Sequence, residues 1–309
     1  MRVLVTGCAG FIGYHLTERL LSEGHEVVGL DSFWSGSPRN VTDLQAHAKF
    51  RFVEHDITNP LPVEGPFDWI CNLACPASPV DFARRRLGIL AVCSEGVRRL
   101  AELARETGAR LLHASTSEVY GDPKEHPQRE TYWGHVNPIG ARSCYDEGKR
   151  FAEALLVAYR DCHGVKTRIA RIFNTYGPRM RHDDGRALPT FIHQALAGEP
   201  LTVHGDGSQT RSFCYASDLV EGLCRLAASD VAEPVNLGNP HEITMLQAAQ
   251  EVIRLCHSPS TIAFLPRPPD DPGVRRPDST RAQTRLGWQP VVEREDGFLR
   301  TIAWFRSRR

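Results

Sequence analysis

Short runs of apolar residues alternate along the first half of the chain with longer stretches whose apolar positions recur every three to four residues. Continuous apolar runs are typical of strands buried on both faces of a parallel sheet, and the longer stretches are typical of crossover helices. The alternation therefore predicts an α/β fold with a doubly wound parallel sheet. The predicted strands are 3–6, 27–30, 50–54, 69–73, 111–115 and 167–172.

The pattern changes after about Asn174, where loops rich in Gly, Pro and charge are interrupted by helical stretches. Three helices are predicted there, at 188–197, 216–228 and 244–257. A tail of this kind would lie over the carboxyl ends of the strands, where ligands bind in open α/β sheets. We expect a cofactor domain over 1–173 with a returning segment at about 212–238, and a substrate-binding domain over 174–211 and 239–309. The Pro-rich run 266–272 is interpreted as an ordered loop.

Charge and cysteine content narrow the class of protein. Lys plus Arg and Asp plus Glu both total 37, so no global field attracts nucleic acid or an anionic membrane. The nine cysteines are scattered and odd in number, which argues against a disulfide framework or a structural metal, and Cys71 and Cys75 are expected as small buried hydrophobes. No apolar run approaches the ~18 residues of a membrane helix. We expect a cytoplasmic protein with no metal, no nucleic-acid partner and no membrane contact.

A glycine-rich segment, Gly7-Cys8-Ala9-Gly10-Phe11-Ile12-Gly13, follows the first predicted strand and opens a helix. Glycine allows a tight turn and a close approach of backbone to a pyrophosphate, and the helix N-terminus supplies N–H groups and positive charge. The context predicts a Rossmann-type dinucleotide site.

Asp31 ends the second strand, about 20 residues further on, as the motif requires. A carboxylate there can accept hydrogen bonds from the adenosine ribose and would repel a 2′-phosphate, so NAD is favoured over NADP. The alternative is an Asp that caps the following loop. Asp56, after the third strand, could meet the adenine in the same way, although a turn Asp is the stronger interpretation for it.

Tyr145 and Lys149 are four residues apart, so they lie one above the other on a helix face. A Tyr with an ordinary pKa near 10 is a poor base at neutral pH, and an adjacent cation is expected to lower it. Thr116 and Glu118 follow the fifth strand, at the edge of the sheet where substrate should bind. They could orient a sugar hydroxyl and exchange a proton with a neighbouring carbon, or they could cap a helix with Glu in its first turn.

Longer segments carry a resemblance to the extended short-chain dehydrogenase/reductases, and among these to the UDP-glucuronate decarboxylases. They run through nearly the whole chain: NLACPASPV (72–80), STSEVYGDPKEHPQRETYWGHVNPIG (115–140), RSCYDEGKR (142–150), RIFNTYGPRM (171–180), GDGSQTRSF (205–213), NLGNP (236–240) and RRPD (275–278). The glycine loop and the Tyr-x-x-x-Lys pair are superfamily-wide, whereas STSEVYG and RSCYDEGKR are much more specific.

The resemblance implies a redox cycle on the sugar of UDP-glucuronate. Tyr145 takes the proton of the C4 hydroxyl while NAD accepts hydride, and Lys149 binds the nicotinamide ribose. The 4-keto sugar then loses CO2 as an enolate, with Glu118 near C5, Thr116 on the sugar oxygen and Arg275 supporting negative charge. Hydride return gives UDP-xylose.

The resemblance also implies the remaining contacts. Asn174 and Arg211 are placed at the diphosphate, the Thr202–His204 backbone beside the uracil, and Ser78 and Arg142 as further substrate contacts. The candidate cofactor residues are Gly7, Gly10, Phe11, Ile12, Gly13, Asp31, Ser32, Ser35, Gly36, Asp56, Ile57, Leu73, Ala74, Tyr145, Lys149 and Ile172. Helices near 94–107 and 144–162 correspond to those that pair across a two-fold axis in the family, which implies a homodimer.

Three departures from the family pattern concern the sugar pocket. Cys93 stands where Asn is usual, Ala141 replaces a usual Glu, and Arg84-Arg85-Arg86 replaces a stretch that typically contains Tyr, Asn and Pro. The alternative functions are a UDP-glucuronate 4-epimerase, a 4,6-dehydratase and a non-catalytic NAD-binding protein. Glu118 argues against the epimerase, the fuller motif match disfavours the dehydratase, and the retained reacting groups argue against the non-catalytic protein.

Overall fold

The computed structural model describes residues 1–267 and 271–308. Residues 268–270 of the predicted Pro-rich loop and Arg309 lie outside the described part of the chain. The strands are β1 Arg2–Thr6, β2 Glu26–Asp31, β3 Phe50–Glu54, β4 Trp69–Asn72, β5 Arg110–Thr116, β6 Thr167–Ile172, β7 Thr175–Tyr176, β8 Leu201–His204, β9 Thr210–Ser212, β10 Cys214–Tyr215, β11 Val235–Leu237, β12 Glu242–Thr244 and β13 Ile262–Leu265.

The α-helices flank or follow these strands. They are α1 Phe11–Ser22, α2 Pro38–Leu44, α3 Pro79–Arg84, α4 Arg86–Ala91, α5 Val97–Thr107, α6 Ser143–His163, α7 Ala187–Ala197, α8 Ala216–Ala228, α9 Met245–Cys256, α10 Thr280–Leu286 and α11 Arg294–Arg306. A π-helical turn over Val92–Gly96 joins α4 to α5, and a 3₁₀ turn over Ser117–Tyr120 follows β5. The three helices predicted after Asn174 are confirmed as α7, α8 and α9.

The main sheet of the described chain has seven parallel strands in the order β11-β6-β5-β4-β1-β2-β3. The predicted fold class is confirmed, and each of the six predicted strands is present to within one residue at either end. The chain order reverses at β1, which pairs with β2 on one side and β4 on the other. In such sheets a crevice opens at the carboxyl ends beside the reversal, and ligands bind there.

Hydrophobic residues pack on both faces of this sheet because its strands are apolar on both sides. One cluster joins the sheet to α1 and α8, and a second joins it to α5 and α6. A third cluster lies away from the sheet and joins α7, α9 and α11, with Phe298 and Leu201 buried in it. The third cluster supports the segments that close over the carboxyl ends of the strands.

A buried polar network fixes the end of β5 against α6. Glu153 accepts from Arg171 at 2.7 Å and from the Ser115 hydroxyl at 2.5 Å, and Arg171 also donates to the Tyr120 hydroxyl at 2.9 Å. Paired buried charges with further hydrogen bonds hold a geometry that an unpaired charge would disrupt. The network therefore positions Thr116, the next residue of β5, relative to the helix that carries Tyr145.

Candidate active site

A cavity of about 470 Å³ runs along the carboxyl edge of the sheet. It brings together every residue proposed from the sequence for cofactor or substrate except Gly36. Gly36 lies just behind the wall, where an added Cβ would be 2.9 Å from the Asp31 carboxylate. Residues separated by more than 260 positions, from Gly7 to Arg275, thus share one cavity.

The cofactor end is shaped by glycines of the first loop. Gly7 has φ of +76°, and a Cβ there would lie 2.7 Å from the Leu73 backbone. A Cβ on Gly13 would lie 1.9 Å from the Gly7 carbonyl oxygen, so only glycine lets α1 start this close to β1. Among the described residues, no side chain caps α1. Its first N–H groups are free to meet a phosphate.

Asp31 caps the turn that follows β2, which is the alternative drawn from the sequence, and its position also leaves the predicted contact with a ribose open. One carboxylate oxygen accepts from the Ala9 N–H at 3.0 Å and the other from the Phe33 N–H at 2.8 Å, so Asp31 braces the glycine loop and the turn after β2. It also lines the cavity. Burial raises its pKa, which the backbone donors oppose. Asp56 lines the cavity as well, and it caps its own turn by accepting from the Thr58 N–H and hydroxyl.

Tyr145 and Lys149 face the cavity from the first two turns of α6. The Lys149 ammonium donates to the Ala114 carbonyl at 2.7 Å and lies 5.8 Å from the centre of the Tyr145 ring. Phe82 of α3 stacks on that ring at 4.8 Å. The ring is thereby held rigidly, which suits a group that must meet one atom of a bound substrate.

The expected lowering of the Tyr145 pKa is wrong for this structure. Burial raises the pKa of Tyr145 well above its usual value, and the nearby Cys75 thiol adds to the rise. A hydrogen bond with Thr116 opposes it. Lys149 is directed at a backbone carbonyl rather than at the phenol oxygen, so its charge does not outweigh desolvation here.

Glu118 is the centre of a charge cluster that lines the same cavity. Arg275 binds it bidentately at 2.8 and 2.9 Å, and Arg142 donates to it at 2.8 Å. Burial alone would raise the pKa of Glu118, but the two guanidinium groups outweigh it and the pKa is lowered. Glu118 is therefore a carboxylate at neutral pH. Thr116 accepts from the Glu118 N–H at 3.2 Å, so the capping interpretation holds for Thr116.

Two acidic residues that sequence analysis missed complete the cluster. Asp271 accepts from Arg211 at 3.0 Å on both oxygens, and Asp146 lies 4.0 Å from Arg142 with one oxygen buried and unpartnered within the described chain. Burial and the Glu118 charge raise the pKa of Asp146 to about 7. Burial and Arg275 lower the pKa of Arg211 to about 10. Asp146 belongs to the segment RSCYDEGKR, which the sequence analysis used. Its burial and its neighbours, however, could not be predicted from that segment.

The remaining substrate candidates lie where their segments end at the cavity. Ser78 caps α3 and donates to the Asp184 carbonyl, and Asn174 accepts from Arg275 at 3.4 Å. The Thr202 N–H donates to Gln194 at 3.0 Å, so this backbone donor is already engaged. Arg186, which sequence analysis also missed, lines the cavity at the start of α7 and pairs with Asp184.

Cys71 is buried in the sheet as expected, but the same expectation for Cys75 is only half met. Cys75 is partly exposed and lines the cavity. Across residues 1–267 and 271–308, no group of His, Cys, Asp and Glu side chains is arranged to hold a metal. Within the same residues, no helix is both long and apolar enough to cross a membrane.

A Rossmann sheet with a glycine loop at one end of its cavity and a Tyr-x-x-x-Lys pair at the other defines a dinucleotide-dependent enzyme of the short-chain dehydrogenase/reductase class. The chain belongs to the NAD dependent epimerase/dehydratase family, whose model matches residues 3–238. NAD is thus the cofactor, and the uncapped α1 and Asp31 fit it.

Relatives narrow the class further. The chain is 53% identical to UDP-glucuronic acid decarboxylase 1 of Danio rerio over 98% of its own length and 72% of that protein. It is 51% identical to UDP-glucuronic acid decarboxylase 6 of Arabidopsis thaliana over 100% of its length and 90% of that protein. A solved structure of UDP-glucuronic acid 4-epimerase from Bacillus cereus, with UDP-glucuronic acid and NAD, matches with TM-score 0.90 and 29% identity over 100% of both chains.

Proposed function

We propose that this protein is a UDP-glucuronate decarboxylase that forms UDP-xylose and CO2 with NAD as a recycled cofactor. The observation that carries the proposal is identity of about one half, over nearly the whole chain, to proteins named for this activity. The cavity supports it, because the Tyr145 phenol, the Lys149 ammonium and the Glu118–Arg275 pair all line its sugar end.

The first step is oxidation at C4 of the sugar. Bound NAD would supply the acceptor for the C4 hydride and the donor for its return. Tyr145 accepts the C4 hydroxyl proton, since its ring is fixed by Phe82 and its oxygen is hydrogen-bonded to Thr116. For this, the Tyr145 pKa must fall when the sugar and the positively charged nicotinamide fill the cavity. Lys149 holds its helix turn against the Ala114 carbonyl, and its ammonium would hold the nicotinamide ribose of a bound NAD.

The second step is loss of CO2 from the 4-keto acid. The carboxylate is β to the ketone, so the electron pair left at C5 is delocalised onto the C4 oxygen as an enolate. Arg275 and Arg142 stabilise negative charge at this end of the cavity. Glu118 lies between them as a carboxylate, and it acts as a relay that takes a proton from solvent and passes it to C5. Tyr145 returns its proton to the C4 oxygen as the ketone is reduced, which leaves one proton consumed per CO2 released.

The nucleotide half of the substrate is assigned to the segments that follow β6. Arg211 and Asn174 bind the diphosphate, and the Thr202–His204 strand lies beside the uracil. Ser78, which lies before β6 at the start of α3, is a further substrate contact. Arg211 is buried and its present partner is Asp271. A diphosphate would replace that carboxylate with two bidentate acceptors, and a guanidinium fork suits this exchange.

A UDP-glucuronate 4-epimerase is the second candidate, because the Bacillus cereus enzyme has the same fold and binds the same acid. The discriminating experiment is incubation of purified protein with UDP-glucuronate, with and without added NAD, followed by product identification by NMR. UDP-xylose with equimolar CO2 is expected, and Tyr145→Phe is the inactive control. UDP-galacturonate alone, or no conversion with NAD present, would overturn the proposal.

Three further features belong to the same proposal. The cofactor domain covers 1–173 with the returning segment 212–238. The substrate-binding domain covers 174–211 and 239–309.

A homodimer forms through α5 and α6, which pack side by side and leave Phe151 52% exposed. A mass of one chain in light scattering at micromolar concentration would contradict the dimer. The cytoplasm is the proposed location, since all nine cysteines are free thiols.

A further inference from the structure

Two cysteines that no step of the proposed reaction uses face each other beside the reacting centre. The sulfur atoms of Cys75 and Cys93 are 3.8 Å apart, within the range of an S–H···S hydrogen bond. Cys75 lies in the loop after β4, and Cys93 lies in the π-helical turn Val92–Gly96. The two cysteines are 18 residues apart in sequence, so the fold rather than local geometry brings the thiols together.

The two thiols differ in access. Cys75 is partly exposed and is one of the residues that line the cavity, so we expect a small reagent that enters the cavity to reach it. Cys93 is 1% exposed and packs with Phe82, Ile89, Cys144 and Tyr145. A reagent in the cavity therefore meets Cys75 first, because Cys93 is buried behind Cys75.

The two thiols also differ in charge state. The hydrogen bond with Cys93, aided by the Lys149 ammonium and opposed by burial, lowers the pKa of Cys75 to about 7. The same hydrogen bond and burial raise the pKa of Cys93 well above its usual value. The thiolate is the nucleophile in thiol chemistry, so Cys75 is the attacking sulfur.

We propose that Cys75 is a thiol-modification site that reacts with small hydroperoxides and that Cys93 resolves the product into a disulfide. The Cys75 thiolate attacks the O–O bond, which gives a sulfenic acid and an alcohol or water. The Cys93 sulfur then displaces hydroxide from that sulfenic acid, which leaves as water with the Cys93 proton. For hydrogen peroxide the sum is two thiols plus H2O2 to one disulfide plus two waters.

Closure of this disulfide would reshape the cavity wall. A disulfide requires an S–S distance of about 2.05 Å, so the Cys75 loop and the π-helical turn must move together. That loop continues to Ser78, and Cys93 packs against Gly148, between Tyr145 and Lys149 on α6. Misplacement of reacting groups by about 1 Å lowers turnover by on the order of a hundredfold. The disulfide form is therefore expected to be inactive, with full recovery on reduction.

The test uses the full chain with bound NAD, reduced and then treated with one equivalent of hydrogen peroxide. Peptide mapping without reduction should show the Cys75 peptide joined to the Cys93 peptide, and UDP-xylose formation should fall at least about tenfold and return with dithiothreitol. Cys93→Ser should form no such disulfide and should yield a Cys75 sulfenic acid that a cyclic 1,3-dione traps, whatever its turnover before peroxide. Cys162→Ser, which removes an exposed thiol on α6, should behave as the wild type.

Either of two results would overturn the inference. One is wild-type protein in which Cys162 is oxidised while Cys75 and Cys93 remain reduced. The other is a Cys75–Cys93 disulfide that leaves turnover unchanged, which would remove the effect on the cavity. The disulfide map does not depend on the reaction catalysed, so its outcome is separate from the failure of the decarboxylase proposal.

Discussion

The two ends of the cavity are built by opposite means. At the cofactor end the working groups are backbone atoms, shaped by glycines such as Gly7 and Gly13 whose Cβ atoms would collide with main chain. At the proposed sugar end the working groups are charged side chains, with Glu118 held between Arg142 and Arg275, and Arg275 is more than 150 residues from Glu118 in sequence. The first end depends on local geometry and the second on long-range assembly.

The difference predicts how each end responds to change. The glycine loop at the cofactor end should bind NAD less tightly when its shape or the Asp31 carboxylate that braces it changes. It performs no proton transfer. A buried charge cluster controls protonation, so single substitutions there should act on rate and on pH dependence. Four substitutions separate these behaviours.

Tyr145→Phe should have the largest effect, because it removes the group that takes the C4 proton while leaving the stacked ring in place. Turnover should fall by about 10²–10⁴-fold, the usual contribution of a general acid–base group. Single-turnover absorbance of NADH should likewise be lost, and the NAD affinity should stay within about threefold. UDP-xylose production by this variant at the wild-type rate would contradict the proposed mechanism.

Glu118→Gln should slow decarboxylation more than it slows oxidation at C4. It keeps the shape and a hydrogen bond to Arg275 but cannot deliver a proton to C5, so overall turnover should fall by roughly ten- to a hundredfold while NADH still appears. Stopped-flow absorbance with parallel CO2 release measures both steps. An equal loss in the two steps would show that Glu118 mainly orients the sugar for oxidation.

Asp31→Ala tests the other end of the cavity. Loss of a charged acceptor for the ribose and for the Ala9 N–H should weaken NAD binding by about tenfold or more, with less discrimination against NADP. Calorimetric titration of both cofactors measures this, and Asp31→Asn separates lost charge from lost bracing. The assignment fails if the wild type binds NADP as tightly as NAD.

Asp146→Asn should have the smallest effect, and we expect it in the pH dependence of stability. Because the pKa of Asp146 is raised to about 7, the folded protein keeps a proton that the unfolded chain releases above about pH 4. Stability that is present below pH 4 is therefore lost as pH rises to about 7. The variant should be more stable than the wild type above pH 7 by about 1 kcal/mol, and no more stable below pH 4. Urea unfolding at several pH values checks this, and parallel curves would refute it.

The contrast between the ends also explains what the sequence could predict. Local spacing and apolar runs determine the glycine loop from Gly7 to Gly13, Asp31 and the six strands, so the sequence could predict them. Sequence motifs could predict Tyr145, Lys149 and Glu118. The ion pair of Glu118 with Arg275 could not be predicted in this way, because Arg275 is more than 150 residues away. The raised Tyr145 pKa and the Cys75–Cys93 contact depend on burial and packing, which no local pattern carries.

The most direct test of the account follows two labels in one reaction. UDP-glucuronate that carries deuterium at C4 is converted in ordinary water, and unlabelled UDP-glucuronate is converted in D2O. If the C4 hydride is taken and returned within one active site and C5 is protonated after CO2 leaves, UDP-xylose keeps deuterium at C4 in the first reaction. In the second reaction it gains one deuterium at C5. Loss of the C4 label to solvent, or UDP-galacturonate without deuterium at C5 as the only product, would contradict the account.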